Sequence, residues 1–168
     1  MSDATPAARK SLVFFNTSKL DEVPDEMKVK SPATMDVTFR KEEDKEPLMA
    51  GSKMYARHMK SFSSDFDESG LHMNVVEFEP NLITPLHSHW ENCVYYVERG
   101  SIILGNRTLG PGEGFLTHAN QPYGFVVGQE GLRLIEFSSG PHRNLAFEER
   151  NPGAWLQRLK KVVEKLES

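Results

Sequence analysis

The stretch His87–Gly100, HSHWENCVYYVERG, decides the fold that the sequence predicts. Two histidines stand one residue apart, and an alternating aromatic run follows them and ends at a glycine. Because side chains alternate across a β-strand, a regular strand here presents four potential ligands on one face: His87, His89, Glu91 and Cys93. Two imidazoles placed in this way can converge on one metal ion, and neutral imidazole suits Zn, Fe, Mn, Ni or Cu.

Length and composition indicate one soluble globular domain with room for tails. The chain has 168 residues, of which 38% are hydrophobic and 26% are charged. Cys93 is its single cysteine, which leaves no internal disulfide and suits a reducing compartment, so we expect a cytoplasmic protein. The net charge of −4 argues against a nucleic-acid partner, because Lys and Arg clusters drive phosphate binding. No apolar run approaches the length of a membrane span or forms the core of a signal peptide, so we expect no membrane partner.

The second half of the chain has the pattern of an all-β domain. Short apolar segments recur from Leu71, separated by turn formers such as Glu79-Pro80-Asn81 and Gly105-Asn106. Strands with turns at this close spacing are typical of an antiparallel sandwich or barrel. The predicted strands are Leu71–Phe78, Pro85–Val97, Ser101–Leu104, Arg107–Leu109, Phe115–Thr117, Tyr123–Val127 and Leu132–Phe137.

The remaining segments flank this core. We predict a flexible N-terminus over 1–10, an extension that adds strands over 11–60, a barrel core over 61–140 and a C-terminal segment over 141–168. Within the extension, the predicted strands are Ser11–Thr17, Val37–Arg40 and Lys53–Lys60, and the predicted loops are Lys19–Lys30 and Lys41–Glu46. The stretch Ser61–Gly70 is rich in turn formers.

The C-terminal segment predicts an amphipathic helix. Asn151 can cap it, and Pro152 suits its first position. One apolar stripe follows, formed by Trp155, Leu159, Val162 and Leu166. We expect this stripe to pack on the barrel or on a second subunit.

Two motifs resemble those of the cupin superfamily. His87-x-His89, preceded by the Pro80-Asn81 turn and closed by Gly100, resembles the first cupin motif. The stretch GNRTLGPGEG over 105–114, followed by Phe115-Leu116-Thr117 and Pro122, resembles the second. The resemblance covers about Leu71–Phe137. It implies an all-β fold, an antiparallel β-barrel of the jelly-roll type, with a site in its mouth.

The resemblance also implies four metal ligands, and the chain departs from two of them. The third is usually Glu or Gln seven residues before the closing glycine, where this chain has Cys93, and the fourth, usually His, falls on Tyr123. Glu91 as the third ligand would give two histidines and one carboxylate, which suits non-haem Fe(II). Cys93 as a thiolate would favour Zn or Cu, or it could be a small buried apolar residue. His118 could supply a third imidazole.

From these residues we expect a divalent metal ion, with Fe(II) as the first choice, at His87 and His89 with Glu91 or Cys93. The expected function is a metal-dependent enzyme acting on a small organic molecule, with a leaning towards a dioxygenase and with Tyr123, His118 or Glu91 moving protons. A metal-dependent lyase or isomerase, a metal-free enzyme, and a ligand-binding cupin with a degenerate metal site remain as alternatives.

Two further features carry expectations. Glu136 is flanked by apolar residues in a predicted strand, where a carboxylate should either pair or carry function. The long N-terminal extension predicts a homodimer in which added strands cover sheet edges. We expect the Ser11–Thr17 strand and the Trp155 helix at that interface.

Overall fold

The structure is a computed structural model that describes residues 16–18, 36–63, 72–139 and 144–168. Within these ranges the chain forms nine strands and two α-helices. In chain order they are β1 Asp36–Phe39, α1 Lys45–Ala56, β2 Met59–Ser63, β3 His72–Phe78, β4 His87–Ser88, β5 Cys93–Leu104, β6 Arg107–Leu109, β7 Gly114–Thr117, β8 Val126–Ser138, β9 Asn144–Phe147 and α2 Pro152–Leu166.

The strands form two sheets. The larger sheet has the order β2-β3-β8-β5-β6, with β7 also paired to β5, and all of its pairs are antiparallel. The smaller sheet has the order β1-β9-β4, and its β1–β9 pair is parallel. The predicted all-β fold of the jelly-roll type is confirmed.

Side chains alternate across β5 and divide the large sheet into two faces. Cys93, Tyr95 and Val97 are buried on the inner face, and Val94 and Tyr96 are exposed on the outer face. The strand ends its regular course at Gly100, which has φ +77°. A Cβ there would lie 2.0 Å from the Gly131 carbonyl oxygen, so only glycine fits at the end of the first motif.

Helix α2 confirms the predicted cap and, in part, the predicted apolar stripe. Asn151 Oδ1 accepts from the Ala154 amide at 3.1 Å. Trp155 and Leu159 are buried as predicted, Val162 and Leu166 are half-buried against the core, and the third fully buried apolar residue of this face is Val163, which the stripe did not include. The Trp155 indole is 1% exposed and donates to the Ile83 carbonyl oxygen at 3.0 Å. The stripe therefore packs within its own chain, and a subunit interface at this helix stays a prediction from the sequence.

Two predictions for the extension are wrong. Residues 53–56, predicted as a strand, form the last turn of α1, and β2 begins only at Met59. The predicted Lys41–Glu46 loop contains a short 3-10 helix, Glu42–Asp44, and the start of α1. Helix α1 is stabilised by a contact with a residue distant in sequence, because its Gly51 lies directly against the ring of Trp155 in α2. The predictions for 1–10 and Lys19–Lys30, and that for Ser11–Thr17 except its last two residues, lie outside the described residues.

No helix in the described ranges is long and apolar enough to cross a bilayer.

Candidate active site

The segment that carries the two histidines is not one strand, so the predicted strand Pro85–Val97 is wrong. His87 and Ser88 form β4 of the small sheet, whereas β5 of the large sheet begins at Cys93. The chain crosses between the sheets over residues 89–92. Alternation along one strand therefore does not place Glu91 and Cys93 on one face with the two histidines.

Asn144, at the start of β9, organises this crossing. Its Nδ2 donates to both carboxylate oxygens of Glu91, at 2.8 and 2.9 Å. Its Oδ1 accepts from the Trp90 amide at 2.6 Å, and its backbone carbonyl oxygen accepts from His89 Nδ1 at 2.6 Å. Glu91 is thus engaged with Asn144, and its predicted roles as metal ligand and catalytic group gain no support.

Backbone carbonyl oxygens fix the Nδ1 atoms of the two histidines, a pattern that metal-ligating histidines share. His87 Nδ1 donates to the Pro85 carbonyl oxygen at 2.7 Å, as His89 Nδ1 does to that of Asn144. Because a carbonyl oxygen only accepts, each Nδ1 carries a proton, and in the neutral ring Nε2 then carries the lone pair. The ring centroids lie 5.3 Å apart. Burial lowers the pKa of His87 to about 4, so this imidazole is neutral at physiological pH.

Tyr123, at the fourth position implied by the cupin resemblance, joins this pair. Its backbone exchanges two hydrogen bonds of 2.9 Å with His87. Its ring centroid lies 4.4 Å from that of His87 and 6.3 Å from that of His89. Its hydroxyl oxygen lies 2.5 Å from that of Tyr95. Burial raises the pKa of both phenols well above the usual value, so both are neutral.

Glu136 places a carboxyl group in the same interior. It lies opposite Asn74 and Tyr95 in the register of the large sheet, and Asn74 Nδ2 donates to it at 3.2 Å. Burial raises the pKa of Glu136 to about 7, and the Asn74 hydrogen bond opposes this shift. Its charge in turn contributes to the raised pKa values of Cys93, Tyr95 and Tyr123. The interior thus holds a carboxyl group that can exchange its proton near neutral pH.

A hydrogen-bonded chain fixes the direction in which Asn74 donates. His72 Nε2 lies 3.1 Å from Asn74 Oδ1 and 3.0 Å from Ser63 Oγ. Since the amide oxygen accepts from His72, the amide nitrogen faces Glu136. Both His72 and Asn74 are buried. The sequence pointed to Glu136 but gave no sign of Asn74, because the pairing depends on a contact 62 residues away.

Cys93 and His118 do not complete the site. Burial and the charge of Glu136 raise the pKa of Cys93 to about 12, as burial raises that of Tyr123, so protonation does not separate the two residues. Cys93 differs because, among the described residues, it forms no three-ligand group with His87 and His89. His118 is exposed in the loop after β7. Among the described residues, no three His, Cys, Asp or Glu side chains form a group that could hold a metal ion. The structure instead brings together His87, His89 and Tyr123.

Sequence reasoning missed Tyr55, because it placed this residue in a strand of the extension. Tyr55 projects from α1 with its ring centroid 5.7 Å from that of Phe78. Its hydroxyl is buried and has no hydrogen-bond partner among the described residues. Burial raises its pKa first and the charge of Glu136 second, so the hydroxyl lies within electrostatic reach of that carboxyl group.

Solved structures share this architecture. The DMSP lyase DddQ from Ruegeria pomeroyi DSS-3 is 15% identical, with a TM-score of 0.50 over 59% of this chain and 55% of its own. An RmlC-like cupin from Shewanella frigidimarina NCIMB 400 is 20% identical, with a TM-score of 0.43 over 50% of this chain and 78% of its own. This chain has the cupin fold. The cupin interior, between the two sheets, is where His87, His89 and Tyr123 meet.

A third similar structure is the polyketide cyclase RemF from Streptomyces resistomycificus. It is 20% identical, with a TM-score of 0.49 over 62% of this chain and 83% of its own. The chain spans only about half of the DddQ structure, and at these identities the likeness concerns the cupin fold alone. No protein-family model and no curated protein matches the sequence.

Proposed function

We propose that this cupin is a metal-dependent enzyme that performs acid–base chemistry, as a lyase or an isomerase, on a small organic molecule. One observation carries the proposal. Two histidines with fixed Nδ1 protons adjoin a buried tyrosine pair in an interior that also holds Glu136. Fixed, buried groups that can exchange protons are what such chemistry needs.

The proposed metal ligands are the Nε2 atoms of His87 and His89 and the phenol oxygen of Tyr123. The fit rests on the two Nδ1 hydrogen bonds, because metal-ligating histidines usually donate their other ring proton in this way. A divalent ion, Fe(II), Zn, Mn, Ni or Cu, would act here as a Lewis acid on a bound carboxylate or enediol. To bind as a ligand Tyr123 would have to release its phenol proton to solvent as the ion enters, and the Tyr95 hydroxyl, 2.5 Å away, would then donate a hydrogen bond to the phenolate oxygen.

Residues of this chain would transfer the proton, position the proton-accepting group and cover one side of the site. Glu136 in its carboxylate form accepts a proton from the substrate, and its pKa of about 7 allows it to return that proton near neutral pH. Asn74 holds the carboxylate in place through its 3.2 Å hydrogen bond. The buried Tyr95 ring stacks at 4.5 Å on the half-buried Phe115 ring, and the pair covers one side of the site.

The dioxygenase predicted from the sequence is less well supported. It relied on two histidines and one carboxylate as ligands of Fe(II). The carboxylate in question, Glu91, accepts two hydrogen bonds from Asn144 instead. DddQ, which shares the fold, is a lyase.

A second candidate is a ligand-binding cupin with a degenerate metal site. The observation that favours it is the lack, in the described ranges, of any group of three conventional ligands. Metal content separates the two candidates. The cytoplasmic location and the homodimer stay predictions from the sequence.

The test is elemental analysis of tag-free protein purified without chelators. We expect close to one equivalent of a divalent metal, and its loss in His87→Ala/His89→Ala. The matched control is His118→Ala, which changes an exposed histidine and should keep the metal. Metal-free protein that takes up neither Fe(II) nor Zn(II) under reducing conditions would contradict the proposal and favour the ligand-binding alternative.

A further inference from the structure

The inner face of β3 carries two polar residues, His72 and Asn74, beside the apolar Val76 and Phe78. Both polar side chains are almost fully buried. Burying a polar side chain costs free energy unless the side chain is hydrogen-bonded. The proposed function gives Asn74 a role and His72 none, so His72 is a buried polar group whose purpose is still to be explained.

Four side chains form one hydrogen-bonded chain that starts at Ser63 in β2 and ends at Glu136 in β8. Ser63 Oγ lies 3.0 Å from His72 Nε2, and the same Nε2 lies 3.1 Å from Asn74 Oδ1. Asn74 Nδ2 then donates to Glu136 Oε2 at 3.2 Å. Strand pairing fixes this chain, because Asn74 lies opposite Ser63 on one side and opposite Glu136 on the other. The chain therefore leads from the edge strand of the large sheet to the proposed proton acceptor.

The hydrogen bonds of this chain can run in two directions, and each direction suits a different form of Glu136. When His72 Nε2 carries a proton, it donates to Asn74 Oδ1, and the amide nitrogen then donates to Glu136, which favours the carboxylate. When Nε2 carries the lone pair, it accepts from the amide nitrogen. The amide oxygen then faces Glu136 and needs a donor, which only the protonated carboxyl group supplies. The Ser63 hydroxyl suits both directions, because it can donate and accept.

The other titratable groups that face Glu136 do not offset its charge. They are Tyr55 of α1, Cys93 and Tyr95 of β5, and Tyr123 in the segment before β8. Burial raises the pKa of each of them, so all four are neutral at physiological pH. The carboxylate form of Glu136 therefore depends on hydrogen-bond donors, of which Asn74 Nδ2 is one.

We propose that His72 is a positioning residue for Glu136: by donating from Nε2 it holds the Asn74 amide with its nitrogen towards the carboxylate, the form that accepts a proton. This role presupposes that Glu136 is the proton acceptor of the proposed function. His72 acts here through Asn74 and contacts neither substrate nor metal. Without the His72 donor the Asn74 amide can reverse, and the protonated carboxyl group becomes the favoured form of Glu136.

The first test follows the protonation of Glu136 in the full chain by infrared spectroscopy. The C=O stretching band of the protonated carboxyl group, assigned by its loss in Glu136→Gln, is measured from about pH 5 to about pH 9. In His72→Leu we expect the midpoint of this titration to move up by ~1 pH unit, because the carboxylate loses a fixed donor. In His72→Gln, whose amide nitrogen can donate in place of Nε2, the midpoint should stay close to that of the wild type.

The matched control is His58→Leu. It also removes a buried histidine, but one that bonds to Glu79 and not to Asn74, so the midpoint should not change. An unchanged midpoint in His72→Leu would overturn the proposal. So would a rise in His72→Gln or in His58→Leu as large as that in His72→Leu, because the effect would then not depend on a donor at position 72.

The second test uses the wild type, so it does not depend on how well the variants fold. In the nitrogen NMR spectrum of labelled protein at pH 8, where Glu136 is mainly a carboxylate, we expect His72 Nε2 to carry a proton. A lone pair on Nε2 at this pH would contradict the proposal. Neither test needs substrate or turnover, whereas failure of the proposed function would be seen in the metal content, so the two failures can be told apart.

Discussion

At the scale of single residues, the site depends on hydrogen bonds that fix which atom of each side chain faces the interior. The backbone carbonyl oxygens of Pro85 and Asn144 set the tautomers of His87 and His89. His72 sets the direction in which Asn74 donates, and Asn74 holds Glu136. The sequence could identify the histidines from their spacing and Glu136 from its apolar neighbours. It could not identify Asn144 or Asn74, because their roles arise from contacts between distant segments.

Glu136 should make stability depend on pH. Its pKa is raised from 4.5 to about 7 in the folded protein, so folding favours the protonated form. The stability that comes with this form is fully present below pH 4.5 and is lost as the pH rises through 7. Glu136→Gln should therefore be more stable than the wild type at pH 8, by ~1–3 kcal/mol, and close to it at pH 4.5.

Urea denaturation at pH 8 and pH 4.5 measures this difference. Glu130→Gln, an exposed carboxylate on the same strand, is the control and should change little at either pH. A Glu136→Gln variant that is less stable than the wild type at pH 8 would contradict this prediction. It would mean that hydrogen bonds to the carboxylate, such as that from Asn74, stabilise the folded protein by more than the desolvation of the charge destabilises it.

Tyr55 and Tyr95 should respond differently to loss of the hydroxyl. The Tyr55 hydroxyl is buried without a partner among the described residues, and such a group costs ~1–3 kcal/mol. Tyr55→Phe should therefore leave the free energy of unfolding unchanged or raise it. Tyr95→Phe removes a hydrogen bond to Tyr123 and should lower it by about 1 kcal/mol. Equal losses in the two variants, measured by chemical denaturation, would mean that the Tyr55 hydroxyl is hydrogen-bonded in solution.

At the scale of elements, local pattern identified most strands but not their interruptions. The alternation of HSHWENCVYYVERG continues through residues 89–92, where the chain leaves one sheet and enters the other. That crossing is imposed by Asn144, which lies more than 50 residues away. Helix α1 was missed for the same reason, since its position depends on packing against Trp155 of α2.

The contact between the two helices gives a prediction at this scale. A Cβ at Gly51 would lie 2.2 Å from Trp155 Cζ3, and both groups sit on packed helices. Gly51→Ala should lower the free energy of unfolding by ~1–3 kcal/mol, although alanine normally stabilises a helix. Gly153→Ala, where the nearest atom to the new Cβ is 4.0 Å away, is the matched control and should be neutral or stabilising. If thermal unfolding shows the two variants to be alike, the helices are not packed as described.

At the scale of the whole molecule, the sequence predicted the fold class but only part of the site. The two motifs were enough to predict the cupin fold, because their glycines and turn residues stand at backbone positions that few other residues can occupy. The departures at Cys93 and Tyr123 could be seen in the sequence, but not their consequences. Cys93 is a buried thiol, whereas Tyr123 lies against His87 and bonds to Tyr95.

In the proposed metal site, Tyr123 completes the ligand set of His87 and His89. Phenolate bound to Fe(III) gives a visible charge-transfer absorption, so the measurement is the absorption spectrum of protein loaded with Fe(II) and then oxidised. We predict a visible band in the wild type and in Glu91→Gln, and its loss in Tyr123→Phe with the iron still bound. A band that persists in Tyr123→Phe, or disappears in Glu91→Gln, would contradict the proposed ligand set.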